Sequence, residues 1–232
     1  MSWESAMWTI ARYQPTAFFS LKPNMATSSG GKTLIVPTPF AVKSALLDAA
    51  IRTQGLARGQ ALFSAIRALE VAVRLPRQIV VNNTFNRVLR AARSPSPGQW
   101  PYQRTIGFRE YVQFGGPLAL AFRGMTDELV DLLAQVNYLG KRGGFMQLLD
   151  RPAHADELPD TFTLLTEGIN GAFPLGTLQM VDDWGEKMTF DRINIYSDAR
   201  ITTGTHRIFH HVVLPHRPVR SSRGFTLYER SE

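Results

Sequence analysis

Between Arg74 and Arg109 the chain carries seven arginines (Arg74, Arg77, Arg87, Arg90, Arg93, Arg104 and Arg109) and no acid, with Phe85, Trp100, Tyr102 and Phe108 interleaved. Guanidinium groups stay in water unless they are paired, so a run of this kind cannot itself be core. Arginine pairs bidentately with phosphate, and aromatic faces stack on unpaired bases. A basic, aromatic, acid-free run therefore suits single-stranded nucleic acid, the plainer reading being a solvated basic face.

The remaining charge is segregated too. Residues 1–110 hold 14 Lys and Arg against 4 acids, a net +10. Residues 124–186 hold 3 against 11, a net −8, and residues 187–223 hold 7 against 2, a net +5. This pattern predicts a basic surface for a polyanion, with the acidic segment facing away from it or meeting a basic protein neighbour. At 232 residues and 44% hydrophobic composition the chain can bury a core, which excludes a disordered basic tail as its main character. The absence of cysteine removes disulfides and thiol catalysis, and suits a reducing, cytoplasmic setting. No apolar run approaches the ~20 residues of a membrane span.

Local signals predict an alternation of strands and helices. Residues 8–18 read as a strand and 19–37 as a polar loop. Thr38-Pro39 sets an N-cap and a first-turn proline, opening an amphipathic helix to about Gly55. A strand follows over 69–75, then an excursion over 77–104, then strands over 105–113 and 118–122. Thr126, with Asp127 and Glu128 at the positive end, caps a helix that runs towards Gly140, and 145–149 is a short strand. Without the excursion the order is βαββαβ, the pattern of an α+β, RRM or ferredoxin-like unit. Residues 1–150 are expected to form this domain, with a basic insertion over about 77–104. Residues 151–232 are expected to be a β-rich C-terminal region including strands at 193–196, 207–214 and 224–228, joined through an acidic connection over 151–170.

Several motifs bear on chemistry. The run Ser28-Ser29-Gly30-Gly31-Lys32-Thr33 ends like a P-loop, but Ala26 stands where the motif needs glycine and Val36-Pro37 interrupts any helix. That argues against a nucleotide hydrolase and leaves a Gly/Lys loop that touches phosphate. Gly140-Lys141-Arg142-Gly143-Gly144 lies between helix and strand, where glycines expose backbone N–H donors and the two cations add charge. His206, His210, His211 and His216 read as solvated or core histidines, and no metal site or cofactor is expected. Asp182, Asp183 and Glu186 read as a solvated, glycine-bounded turn.

The segments Ala11-Arg12-Tyr13-Gln14-Pro15-Thr16-Ala17-Phe18-Phe19, Pro37-Thr38-Pro39 with the small-residue helix to Ala50, Gly107-Phe108-Arg109-Glu110-Tyr111-Val112 and Tyr138-Leu139-Gly140-Lys141-Arg142-Gly143-Gly144-Phe145 occur in a telling order. Together they resemble the fifth Cas family, the RAMP-type subunit of the CRISPR Cascade surveillance complex, over roughly residues 8–150. The resemblance implies an RRM-like domain with a thumb-like insertion that grips the 5′ handle of the CRISPR RNA and caps the complex. Its neighbours would be the RAMP backbone subunit and the large subunit, with target DNA near the PAM as a further contact. One branch of the family, in type I-C systems, is itself a metal-independent processing endoribonuclease using Tyr, His and Lys. Tyr13, Lys22 and Lys141 are the candidates here by position, but the N-terminal half has no histidine, so binding without catalysis is expected.

The candidate RNA contacts fall into three groups. Arg12, Tyr13, Lys22, Lys32 and Lys43 come from the first strand, loop and helix. Arg77, Asn82, Asn83, Phe85, Asn86, Arg87, Arg90, Arg93, Tyr102 and Arg104 come from the insertion, asparagines reading base edges and Phe85 or Tyr102 stacking. Gly140, Lys141, Arg142, Gly143 and Gly144 form the turn. An endoribonuclease, and an RNA-binding module outside CRISPR, are the alternatives.

Overall fold

The computed structural model of the protein describes residues 7–24, 26, 31–94, 96–141, 143–169 and 175–231. In chain order its elements are β1 (Trp8–Pro15), α1 (Pro39–Gln54), α2 (Leu56–Ala68), β2 (Glu70–Arg74), β3 (Gln78–Ala91), β4 (Tyr102–Phe114), β5 (Leu118–Arg123) and α3 (Asp127–Leu132). These are followed by β6 (Met146–Leu148), β7 (Ala153–Ala155), β8 (Thr163–Leu164), β9 (Thr177–Trp184), α4 (Phe190–Ile193), β10 (Arg207–Leu214), β11 (His216–Ser221) and β12 (Phe225–Arg230). This is a mixed α and β fold with antiparallel sheets.

The first sheet runs β6-β1-β5-β2-β8, with β7 also paired to β1. Its central strands are short and apolar: all but Arg123 of Leu118–Arg123 is buried, as a strand covered on both faces must be. The helices pack on one face. Thr38 is extended at φ −88°, its Oγ1 accepts from the Ala41 N–H, and Pro39 takes the first helical position. Gly55, at φ 91°, both stops α1 and starts α2. The helix pair stays close because Gly59 lies against Ile51, where a Cβ would come within 2.4 Å of Cγ1. The other face is covered by residues 158–164, whose Leu158, Phe162 and Leu164 pack over Trp8, Ala72 and Ala121.

The helix α2, whose residues were given no element from the sequence, buries Leu62, Phe63 and Ile66. Three local expectations are corrected. The helix opened by Thr126 ends at Leu132 in a single 3-10 turn over Leu133–Gln135 rather than near Gly140. Pairing explains this: Met146 N–H donates to Asn137 O at 3.0 Å and Leu139 N–H to Gly144 O at 3.2 Å, so the chain after Val136 folds back onto the approach to β6. Residues 193–196 are no strand; α4 ends at Ile193, and Ile195 and Tyr196 are exposed. The supposed solvated turn at Asp182 and Asp183 is the end of β9, with both acids buried and paired to β10.

The insertion is a long hairpin. β3 and β4 pair through thirteen register positions, from Ile79↔Phe114 to Ala91↔Tyr102. Its base belongs to a four-stranded sheet in the order β11-β12-β3-β4, and its far end is exposed on both faces. The C-terminal strands are thus spread over the whole body: β8 extends the first sheet, β12 pairs with β3, and β9 lies on the helices, where Trp184 stacks 5.0 Å from Phe63. No helix among the described residues is long and apolar enough to cross a membrane.

Candidate nucleic-acid interface

A cleft of about 420 Å³ opens at the N-terminal end of α1. Its walls come from Ser20–Lys22 and Gly31-Lys32 of the first loop, Thr38 to Ala45 of α1, Arg109 of β4, Tyr138 to Lys141 after α3, and Asp182 and Arg207 of β9 and β10. Among the described residues five cations line it, Lys22, Lys32, Arg109, Lys141 and Arg207, against the single carboxylate of Asp182.

Two of the five are already committed. Lys32 Nζ lies 2.6 Å from Glu110 Oε1, and the second oxygen of this buried carboxylate accepts from Thr33 N–H at 2.9 Å. Arg207 lies 2.5 Å from Asp182 Oδ2, with its guanidinium 4.7 Å over the Phe40 ring. Lys22, Arg109 and Lys141 have no carboxylate within ion-pair distance among the described residues. The positive end of the α1 dipole adds to them. Ser44 Oγ, on the same wall, is buried and has no hydrogen-bond partner among the described residues.

Backbone geometry sets these side chains in place. Gly31 lies so close to β4 that a Cβ would sit 1.9 Å from the Phe108 carbonyl oxygen, and its own carbonyl accepts from Glu110 N–H at 2.7 Å. The loop is therefore laid directly on the hairpin. Gly140 and Gly143 take φ of 73° and 107°, and Gly144 N–H donates to Lys141 O at 3.1 Å, which turns Lys141 into the cleft.

Of the residues expected from the sequence, Lys22, Lys32, Gly140 and Lys141 meet in this cleft. Arg142 and residues 28–30 lie outside the described residues. Two expectations are corrected. Lys43 is 2% exposed; its Nζ is held by Asp183 at 2.8 Å and by the Arg67 carbonyl at 3.0 Å, so it is no RNA contact. Tyr13 is 1% exposed and donates to Leu133 O at 2.8 Å, and its burial pushes the phenol well above its ordinary range. Arg12 is exposed and pairs with Asp150 at 2.8 Å.

The insertion residues divide between two faces. Asn83, Phe85 and Arg87 of β3, with Arg104 and Tyr102 of β4, continue the face that begins at the buried Ile79 and Val81. Asn82, Asn86 and Arg90 point the other way. Asn83 Nδ2 donates to Arg223 O, so that amide ties the hairpin to the β11–β12 turn. Arg77 and Arg93 are exposed at the two ends of β3. Phe85 sits 5.2 Å from Phe108 and Trp100 5.6 Å from Tyr102, with Phe85 64% and Trp100 71% exposed. Arg109, Tyr138, Ser44 and Arg207 of the cleft were not among the RNA contacts expected from the sequence. Arg109 stood in the arginine run, and Tyr138 just before the glycine turn; Arg207 carries no local signal. His216 is buried, and its Nε2 donates to Pro76 O at 2.9 Å. Among the described residues no three His, Asp or Glu side chains converge as metal ligands would.

No protein-family model matches the chain. Over 127 residues it is 31% identical to CRISPR-associated protein Cas5 of Archaeoglobus fulgidus, covering 53% of this chain and 55% of that protein. The chain spans about half the length of this curated relative. Two solved structures give weaker likenesses. A CRISPR protein from Archaeoglobus fulgidus shares 11% identity at a TM-score of 0.42, covering 97% of this chain and 92% of its own. A chain of a CRISPR RNA-guided surveillance complex shares 14% at 0.49, covering 96% and 90%.

Proposed function

We propose that the chain is a non-catalytic, CRISPR-RNA-binding subunit of a Cascade-type effector complex. It grips the 5′ handle in the cleft and caps one end of the assembly, beside a RAMP backbone subunit and the large subunit. The observation that carries the reading is the meeting of Lys22, Arg109 and Lys141, all without a carboxylate partner among the described residues, at the positive end of α1. Such a cleft suits phosphates, which cations position and helix N-termini favour. The Cas5 homologue supports the CRISPR setting. The strand order β6-β1-β5-β2, with helices between β1 and β2 and between β5 and β6, supports reading the body as an RRM-like βαββαβ unit with the β3–β4 hairpin as its thumb. Sequence specificity towards a target would rest with the guide, not the protein.

Binding without cleavage is supported by the cleft's lining. Among the described residues it has tyrosine and lysines but no histidine, and Tyr13, the tyrosine expected from the sequence, has its hydroxyl engaged by the Leu133 carbonyl. The test is a labelled CRISPR repeat RNA with EDTA across a salt series, read on native and denaturing gels, for the wild type and for Lys22→Glu with Lys141→Glu. The expected result is a shifted, intact band. The double variant should bind more weakly, with the slope of log K against log salt shallower by about 1.4, or about 0.7 for each lost contact to a single strand. A discrete cleavage product would make the chain a processing nuclease, and an unaffected double variant would remove the cleft from the reading.

A further inference from the structure

The four-stranded sheet turns Ile79, Val81, Val112 and Phe114 to the core. Its opposite face carries a row that no part of the cleft uses. Phe225 of β12 is in register with Asn82 of β3, and Asn82 with Tyr111 of β4. The Arg220 guanidinium of β11 lies 5.8 Å over the Phe225 ring. At the other end, Phe18, next to the Phe19–Val112 bridge, brings its ring 6.5 Å from Tyr111 and is 56% exposed. With strands about 4.8 Å apart, Phe225 and Tyr111 stand roughly 10 Å apart, with the Asn82 amide between.

The row has the chemistry of a stacking surface. None of its side chains is fully buried, yet Asn82 Nδ2 is covered and has no hydrogen-bond partner among the described residues. An amide left in that state costs free energy, and its terminal torsion is soft enough to offer a donor to a group laid over it. Arg217 extends the same face, and Arg109 stands two positions from Tyr111. Among the described residues the one acid on this face is Glu229, which Gln78 Nε2 engages at 2.8 Å. A protein seated here would have to cover three guanidinium groups, which is costly without matched carboxylates. A polynucleotide supplies the counter-charges with every phosphate.

We infer that this face is a second nucleic-acid surface, taking unpaired bases of a single strand by stacking on Tyr111 and Phe225. Asn82 meets a base edge, and Arg220 and Arg109 meet phosphates. The inference stands whether or not the cleft takes RNA. Where it does, Arg109 lines the cleft and also flanks the row, so a strand leaving the cleft passes directly onto it.

The test is ultraviolet cross-linking of the full chain to labelled, unstructured RNA and DNA dodecamers, with tryptic peptides mapped. Tyr111 falls in peptide 110–123 and Phe225 in peptide 224–230, both separate from the peptides of Lys22 and Lys141. The expected result is cross-links in both peptides that persist in the Lys22→Glu, Lys141→Glu variant. Tyr111→Leu with Phe225→Leu, which keeps apolar volume and removes the π faces, should weaken binding roughly fivefold to a hundredfold. Tyr111→Phe should bind as the wild type does. The nucleic acid that cross-links more efficiently identifies the source of the strand. Cross-links confined to other peptides, or a folded leucine variant that binds like the wild type, would overturn the inference and leave the face to a protein partner.

Discussion

Replacing Lys43 separates a buried structural cation from an RNA contact. Its ammonium touches both oxygens of Asp183, at 2.8 and 2.9 Å, and the Arg67 carbonyl at 3.0 Å, while Asp183 Oδ1 accepts from Trp184 N–H at 2.6 Å. Burial pulls the Lys43 pKa down and pushes the Asp183 pKa up, each partner only partly offsetting the other's desolvation. Lys43→Met fills similar volume but leaves the carboxylate with one backbone donor. Breaking a buried pair from one side costs about 3–5 kcal/mol. For a chain of this size about 1 kcal/mol moves Tm by roughly 2–4 °C, so a fall of roughly 6–20 °C is expected. Lys43→Met with Asp183→Leu removes both charges and should recover most of the loss, since an apolar replacement of a buried pair is often neutral or better. The assay is thermal and urea denaturation at pH 7.5, followed by circular dichroism, alongside RNA titration of each folded variant. A Lys43→Met protein as stable as the wild type but weakened in RNA binding would refute the reasoning.

Tyr13→Phe removes a buried hydroxyl and leaves the Leu133 carbonyl unpaired, so urea denaturation should show a loss of about 1–3 kcal/mol, with RNA affinity unchanged. Gly31→Ala forces a Cβ against the Phe108 carbonyl; the loop must lift from β4, which moves the cleft wall it forms away from Arg109, and RNA affinity should fall, read by titration against a wild-type control. The His216 pKa is lowered by burial, so the folded protein binds fewer protons than the unfolded chain below the ordinary value of about 6.5. Its contribution is complete above that pH and is lost as pH falls through the lowered folded value. Denaturation midpoints from pH 7.5 to 5 should decline, and less steeply in His216→Gln, which keeps a donor for the Pro76 carbonyl.

What could be read locally was the punctuation. Thr38-Pro39 and Gly55 bracket α1 because a cap hydrogen bond, a fixed proline φ and a positive φ are properties of a few adjacent residues. Arg207–Leu214 is β10 as expected, its apolar end lying in the core. The hairpin read as an irregular excursion because alternation marks a strand only where one face is buried, and beyond Asn83 neither face is. Lys43 was the opposite failure. Nothing near it in sequence distinguishes it from Lys32; its partner lies 140 residues away, on a strand whose acids looked solvated for want of a visible cation.

The segregated charge has its explanation in the same contacts. The acids of 124–186 were expected to face away from RNA or to meet a basic neighbour, and several meet this chain's own basic half instead. Arg12 pairs with Asp150, Lys43 with Asp183 and Arg58 with Glu128, while Asp182 takes Arg207. Each of the first three joins the N-terminal half to an element more than 65 residues further on, and the Lys43 pair is buried. Opposite charge in two parts of one chain is here a means of docking the later strands and helices on the earlier ones. It follows that the net +10 of residues 1–110 overstates the surface open to a polyanion. The cations left for one are those the fold does not spend: Lys22 and Arg109 at the cleft, joined there by Lys141, and the hairpin arginines Arg87, Arg90, Arg93 and Arg104, none of which has a carboxylate partner among the described residues. On the hairpin they are divided, Arg87 and Arg104 standing on one face and Arg90 on the other, so a polyanion laid along one face meets only part of the hairpin's charge.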